Sequence, residues 1–416
     1  MSRRSTLFLA TFFLVGFAGI ATGWLLRNKY EADQGIFPDN AESEYVASAD
    51  GRTDTARPLG GRSSTAYFDD VRRIVESQYV DKVIDETGLA RGALESLLGE
   101  LRDPGSRYYD PEQFKRFRDG LEGRLSGIGA DVAILVSGTE EHPQLPVTIV
   151  SVPQGSPAAK AGLKSGDVIE EISGSWVASR SLFDELTVAS TMVGQGKLTR
   201  EEFDALFEDA RRRFESMISV IEAIDKLQTN GEAVDLIVIR AGKPLKVKAQ
   251  RTGFNLQPQA PSGNTLAIRL FTDETPERLR EFLQNRTGVI LDLRDNYGGS
   301  VTAMEECLEL LLEPGAYAKL ETEPGAPPRE LRIVGRGDPS VKGKVLVNSG
   351  TARIAEVFAS ALSESGRFEL EGGPTFGLGL KIDVHELPDG SGFTLTSGRY
   401  HSLRGRPLSK STWGGK

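Results

Sequence analysis

The chain has 416 residues, 39% of them hydrophobic, and carries a formal net charge of -9 at pH 7. That length holds two or three domains with cores of their own, and the acidic balance argues against nucleic acid as a partner. A single cysteine, Cys307, excludes an intramolecular disulfide; no His/Cys cluster has metal-ligand spacing, so neither a metal nor another cofactor is expected.

Residues 7–26 are uncharged and mostly apolar, long enough to span a bilayer as a helix. Arg3 and Arg4 favour a cytoplasmic N-terminus, although Arg27 and Lys29 weaken the charge asymmetry. A cleavable signal peptide is the competing reading, with Ala18 and Ala21 as small residues, but the apolar run continues through Trp24, Leu25 and Leu26. Residues 1–30 therefore read as a membrane anchor or signal segment. The body is expected to be extracytoplasmic, periplasmic or at the cell surface, or secreted if the segment is cleaved. Residues 31–65 are polar and aperiodic, a flexible tether.

Helical patterns fill residues 66–124, with Val71, Ile74 and Val75 followed by Leu89, Ala93, Leu94, Leu97 and Leu98. Over residues 125–253, short strands at 130–136, 147–152, 168–172, 234–240 and 245–250 predict a small β-rich domain. It carries a helical insertion at about 190–230. There Phe203, Phe207, Ala210, Phe214, Met217, Ile221 and Ile224 recur at spacings of four and three, an a/d seam over about three heptads. A helix over 198–228 with that seam must pack on its own domain, on a second copy or on another protein. Gly196 and Glu202 are spaced as in a calcium loop, but Thr191, Val193 and Gln195 supply no carboxylate at the ligand positions. Thr199 as N-cap with Glu202 completing a capping box explains the same residues.

Residues 254–416 read as a layered α/β core. Strands at 266–270, 288–293 and 344–347 alternate with helices at 276–284, 301–312 and 354–363, and further strands follow through 393–396. The site is expected at the carboxyl ends of partly parallel strands. Cys307 falls in the second of these helices as core filler, and His142, His385 and His401 are scattered as surface or loop residues. At Val345-Leu346-Val347 an apolar strand runs through Asn348-Ser349-Gly350-Thr351-Ala352-Arg353 into a helix. Such a turn presents a side chain at a helix N-terminus, where backbone N–H groups can stabilise an oxyanion. Arg353 closes this turn; it has no hydroxyl and stays protonated, so it can be neither nucleophile nor base.

Thr351-Ala352-Arg353-Ile354-Ala355-Glu356 resembles the S-A-S-A-S-E signature of the C-terminal processing, or tail-specific, serine peptidases. Thr375-Phe376-Gly377-Leu378-Gly379 resembles the T-F-G-K-G of the same family. Other likenesses follow in family order: Tyr79-Val80-Asp81, Leu101 to Tyr108, Gly127 to Val132, Gln154 to Ile169, and Leu291 to Gly299. The resemblance places Arg353 on the catalytic Ser, Leu378 on the general-base Lys and Ile382 on an assisting Gln. It implies a PDZ-like domain over residues 125–253, in which Gly127, Ile128, Gly129 and Ala130 capture a peptide carboxylate. It also implies an oxyanion region at Gly298, Gly299 and Ala352. Substitutes are poorly placed: Ser349 and Thr351 lie in the turn, and Lys381, three residues past Leu378, should point to the opposite strand face. The expected function is that of a membrane-anchored pseudoprotease holding protein C-termini, with Arg353 paired to a peptide carboxylate or locally to Glu356. The alternatives are an active endopeptidase with a nucleophile elsewhere, and a structural partner of an active relative docked through residues 198–228.

Overall fold

The computed structural model describes residues 64–80, 86–138, 143–179, 182–323, 325–335 and 337–409. The expected membrane segment, the tether through residue 63, and His142 lie outside the described residues. No described helix is long and apolar enough to cross a membrane. Helix α1 (Ser64–Gln78) belongs to an N-terminal unit ending at Glu86; the chain from Thr87 onward makes a second unit.

Helix α2 (Glu86–Gly99) leads to strand β1 (Arg107–Tyr109), helix α3 (Pro111–Leu121) and β2 (Arg124–Leu125). Asp110 starts α3 by accepting from the Gln113 N–H at 2.8 Å, with Pro111 pre-set for the first turn. The expected purely helical region is thus interrupted: β1 leaves it to join a sheet formed by the far end of the chain.

A six-stranded antiparallel sheet follows. It comprises β3 (Asp131–Ile134), β6 (Val147–Ser151), β7 (Val168–Ile172), β8 (Ser175–Trp176), β9 (Gly231–Arg240) and β10 (Lys243–Arg251), while β4 (Ser137–Gly138) and β5 (Pro143–Gln144) form a small hairpin. The strand order is β10-β9-β7-β6-β3, with β8 on β7, so β3 lies at an edge. Ile128, Ile149, Ile169 and Val238 fill its core, and helix α4 (Pro157–Lys160) adds Ala158.

Three helices stand between β8 and β9: α5 (Leu182–Gly194), α6 (Arg200–Glu215) and α7 (Val220–Gln228). The expected single seam over 198–228 does not form. Ser219 caps a new helix by accepting from Glu222 N at 3.1 Å, and the chain turns there. Ile224 and Leu227 then enter the sheet's core, whereas Phe214 and Met217 stay exposed. The expected capping box at Thr199 and Glu202 is present.

Strand β11 (Phe254–Asn255) pairs with β2, and the α/β core begins. Strands β12 (Thr265–Ala267), β13 (Gly288–Asp292), β16 (Lys342–Val347) and β17 (Phe368–Gly372) form a parallel sheet in that order. Helices α8 (Thr275–Leu283), α9 (Val301–Leu311) and α10 (Ile354–Glu364) supply the crossovers that parallel pairing requires. Cys307 is fully buried among Met304, Leu308 and Leu291. A second sheet combines β1, β14 (Gly315–Glu321), β15 (Arg329–Ile333), β18 (Leu380–Glu386) and β19 (Gly392–His401), all antiparallel. His385 is a surface residue, exposed on β18 and stacked on Phe393; His401 is part-buried at the end of β19 and pairs with Glu321 at 3.0 Å.

Candidate functional site

Two loops leave the carboxyl ends of the adjacent strands β13 and β16 and are bonded to each other. Asn348 accepts from the Asp295 N–H and donates to Asp295 Oδ1, both at 3.0 Å. Thr351 donates its hydroxyl to the Leu293 carbonyl at 2.9 Å, and Ala352 N–H donates to the Asn296 carbonyl at 2.8 Å. Thr351 is fully buried, so its hydroxyl is structural. At the root of the first loop burial would raise the Asp292 carboxyl, but hydrogen bonds from Arg294 and Arg269 outweigh it and hold the group well below the usual carboxylate range.

Asn296, completely buried, organises this junction. Its side-chain amide donates to the Ile268 carbonyl, and its Oδ1 accepts from Gly298 N–H, each at 2.9 Å. The expected oxyanion trio is corrected accordingly. Gly298 N–H is spent on Asn296 Oδ1 and Ala352 N–H on the Asn296 carbonyl. Gly299 N–H has no hydrogen-bond partner among the described residues, and neither does Ile354 N–H at the start of α10. Gly299 is held at φ 110, and a Cβ there would sit 2.2 Å from the Phe271 carbonyl oxygen, so no larger residue fits.

Arg353 occupies the turn with φ 57 and ψ −128. A non-glycine residue held there costs on the order of 1–3 kcal/mol, and such strain marks turns that thrust a side chain outward, as nucleophile elbows do. Glu356, 3% exposed, keeps the turn closed: its carboxyl accepts from the backbone N–H of Arg353 (3.0 Å), Gly377 (2.7 Å) and Leu378 (2.8 Å). Burial pushes this carboxyl up despite those bonds. The expected local pairing of the Arg353 guanidinium with Glu356 is not formed. Instead Arg353 Nη1 donates to Asp131 Oδ2 at 2.5 Å and to the Tyr297 carbonyl at 2.9 Å. Sequence reading missed Asp131, whose only signal was its place after the glycine pair at Gly127 and Gly129.

Leu378 and Ile382 carry no titratable group and sit in an apolar cluster. Ala133 and Val150 of the antiparallel sheet pack there on Ala352, Phe376, Leu378 and Leu380, with Leu135 and Ile382 against them. Lys381 lines the cavity, as Leu378 does not, and a bulge between Lys381 and Ile382 brings Ile382 to the same cavity. Lys381 Nζ lies 2.9 Å from Ser397 Oγ, a Ser–Lys contact that the sequence did not suggest. The same nitrogen binds Asp383, whose carboxyl is held below the ordinary range by that hydrogen bond.

The expected carboxylate loop is also corrected. Gly127 N–H donates to Asn230 Oδ1 (2.8 Å), Ile128 N–H to the Leu227 carbonyl (2.9 Å) and Gly129 N–H to the Ser126 carbonyl (3.2 Å). The loop is stitched to α7 and Ile128 is core. Ala130 alone of the four lines the cavity, a space of about 390 Å³ between β3, α7 and the Arg353 turn.

The region from β12 onward matches a known family model: residues 265–413 match peptidase family S41. Relatives extend the likeness beyond it. The chain is 27% identical over 406 residues to the carboxy-terminal processing protease CtpB of Bacillus subtilis, covering 95% of this chain and 73% of that protein. It is 26% identical over 382 residues to the chloroplastic carboxyl-terminal-processing peptidase 2 of Arabidopsis thaliana, covering 84% and 68%. Among solved structures, the photosystem II D1 C-terminal processing protease shares the fold with a TM-score of 0.57 at 23% identity, over 84% of this chain and 91% of that one. The region that matches the family model supplies both loops of the junction and the Arg353 turn, while Asp131 comes from the preceding antiparallel sheet.

Proposed function

We propose that the chain is a pseudoprotease of the C-terminal processing family, which holds protein C-termini or unfolded tails without cutting them. One observation carries the reading. The strained strand–turn–helix junction, which needs a hydroxyl, presents Arg353, and its guanidinium is tied to Asp131. The base and assisting positions, Leu378 and Ile382, are closed by apolar packing. A Ser–Lys mechanism needs a hydroxyl and a neutral amine in contact, and neither is supplied at this turn. The antiparallel sheet acts as a PDZ-like domain whose edge strand β3 receives the peptide. Residues 1–30 anchor this body outside the cytoplasm.

The test is an active-site-directed fluorophosphonate applied to the purified chain, alongside hydrolysis of an unfolded protein substrate. Neither labelling nor cleavage is expected. One observation favours a second reading, an active serine endopeptidase: the contact between Ser397 and Lys381. Labelling that disappears in Ser397→Ala would establish that reading and end the first.

A further inference from the structure

We propose that Arg353 is the receptor for the terminal carboxylate of a peptide bound along β3, so that the position of the lost nucleophile has become the C-terminal anchor. This rests on the peptide-holding reading above and names the group that does the holding. The five consecutive residues 130–134 all line the cavity. Successive side chains of a strand point to opposite faces, so only a strand met edge-on presents such a run. β3 pairs on its other side with β6, and the cavity therefore runs along an open edge that can take another strand. Opposite stand Val220, Ile221 and Gln228 of α7, of which the part-exposed Val220 and Ile221 offer apolar contact to side chains of that strand.

The sheet is antiparallel throughout, so an added strand runs against β3 and ends beside its first residue, Asp131. That is where the guanidinium lies. Both of its hydrogen bonds use Nη1, leaving Nη2 and Nε without a hydrogen-bond partner among the described residues. A carboxylate docking on those two nitrogens makes the forked contact that arginine favours, and Asp131 need not leave. Arg107 on β1 adds a second guanidinium to the same cavity, and its buried Nε lacks a hydrogen-bond partner. The loop that was expected to do this work, Gly127 to Ala130, has three of its four N–H groups bonded internally.

The experiment uses the full chain and fluorescein-labelled decapeptides ending in Ala, Val or Leu, each made as free acid and as C-terminal amide, with anisotropy as the readout. The wild-type protein should bind the acid about tenfold or more tightly than the amide, the difference a charged forked contact makes. Arg353→Met should abolish the preference for the acid, and Arg353→Lys should restore part of it. Equal binding of acid and amide by the wild type overturns the anchor while leaving peptide holding intact. Absence of binding by every peptide overturns peptide holding and the anchor with it. The acid–amide comparison needs no variant, so a folding defect in Arg353→Met does not blunt it. Retention of the full preference in a folded Arg353→Met also overturns the anchor.

Discussion

Asp131 and Arg353 stand 222 residues apart in sequence and 2.5 Å apart in space. Their ion pair joins the edge strand of the antiparallel sheet to the turn that starts α10. Both side chains are largely sheltered, 16% and 24% exposed, so the pair lies between the surface and interior regimes.

Replacing Asp131 by Ala therefore strands a sheltered cation on a strained backbone. We expect a loss of about 2 kcal/mol in urea unfolding, and a smaller loss for the double variant Asp131→Ala, Arg353→Met. If the losses of Asp131→Ala and Arg353→Met, each measured alone, add up to that of the double variant, the pair contributes no coupling.

Glu356 holds three backbone donors that have no alternative partner. Glu356→Ala should destabilise by about 3 kcal/mol or more, because each buried N–H left unsatisfied is costly. A change below about 1 kcal/mol in denaturant titration would show that water takes over the role.

The pH dependence has a definite sign at Asp292. Its folded-state pKa is depressed below the unfolded value of about 3.9, so its contribution is present above that value and is lost as pH falls below it. Thermal unfolding followed from pH 6 to pH 3 should show falling stability at the acid end. Asp292→Asn should flatten that limb while lowering stability at pH 6.

Restoring chemistry requires two positions at once. Arg353→Ser alone should remain unlabelled by a fluorophosphonate. Arg353→Ser with Leu378→Lys should label, because a lysine placed among Ala133, Val150 and Phe376 is desolvated and driven towards its neutral form. The same burial should lower the double variant's stability by a few kcal/mol. A well-folded double variant that does not label would mean that Gly299 and Ile354 fail to serve the oxyanion.

The insertion separates core from surface. Ile224→Ala on α7, 1% exposed, should cost about 3 kcal/mol. Phe214→Ser on α6, 68% exposed, should stay within about 0.5 kcal/mol in the isolated protein. A large loss from Phe214→Ser at high protein concentration only would report self-association through that helix.

The α/β core was legible because its signals are local. Apolar strands alternate with amphipathic helices, and the small-residue turn before Ile354 marks the junction. Asn348 and Asn296, the side chains that tie the junction together, were not singled out, since their partners lie across the fold. Arg353 was found by position, but its partner was not. Glu356 is three residues away and was the natural candidate; helix geometry instead commits that carboxylate to backbone donors and sends the guanidinium to Asp131. The seam at 203–224 misled for a related reason. A periodic pattern records which faces are apolar, and it survives a chain reversal at Ser219 that hands its two halves to different surroundings. The contact of Lys381 with Ser397 escaped notice because its partner lies on a different strand, sixteen residues on.

Strand β1 has a bearing on how the molecule is made. Arg107, Tyr108 and Tyr109 pair with Thr394, Phe393 and Gly392, among the last strand residues in the chain. On a ribosome, that early segment emerges long before its partner exists and must wait unpaired while the intervening domains form. The second sheet therefore closes only after β19 has been made, and only then does Arg107 reach the cavity.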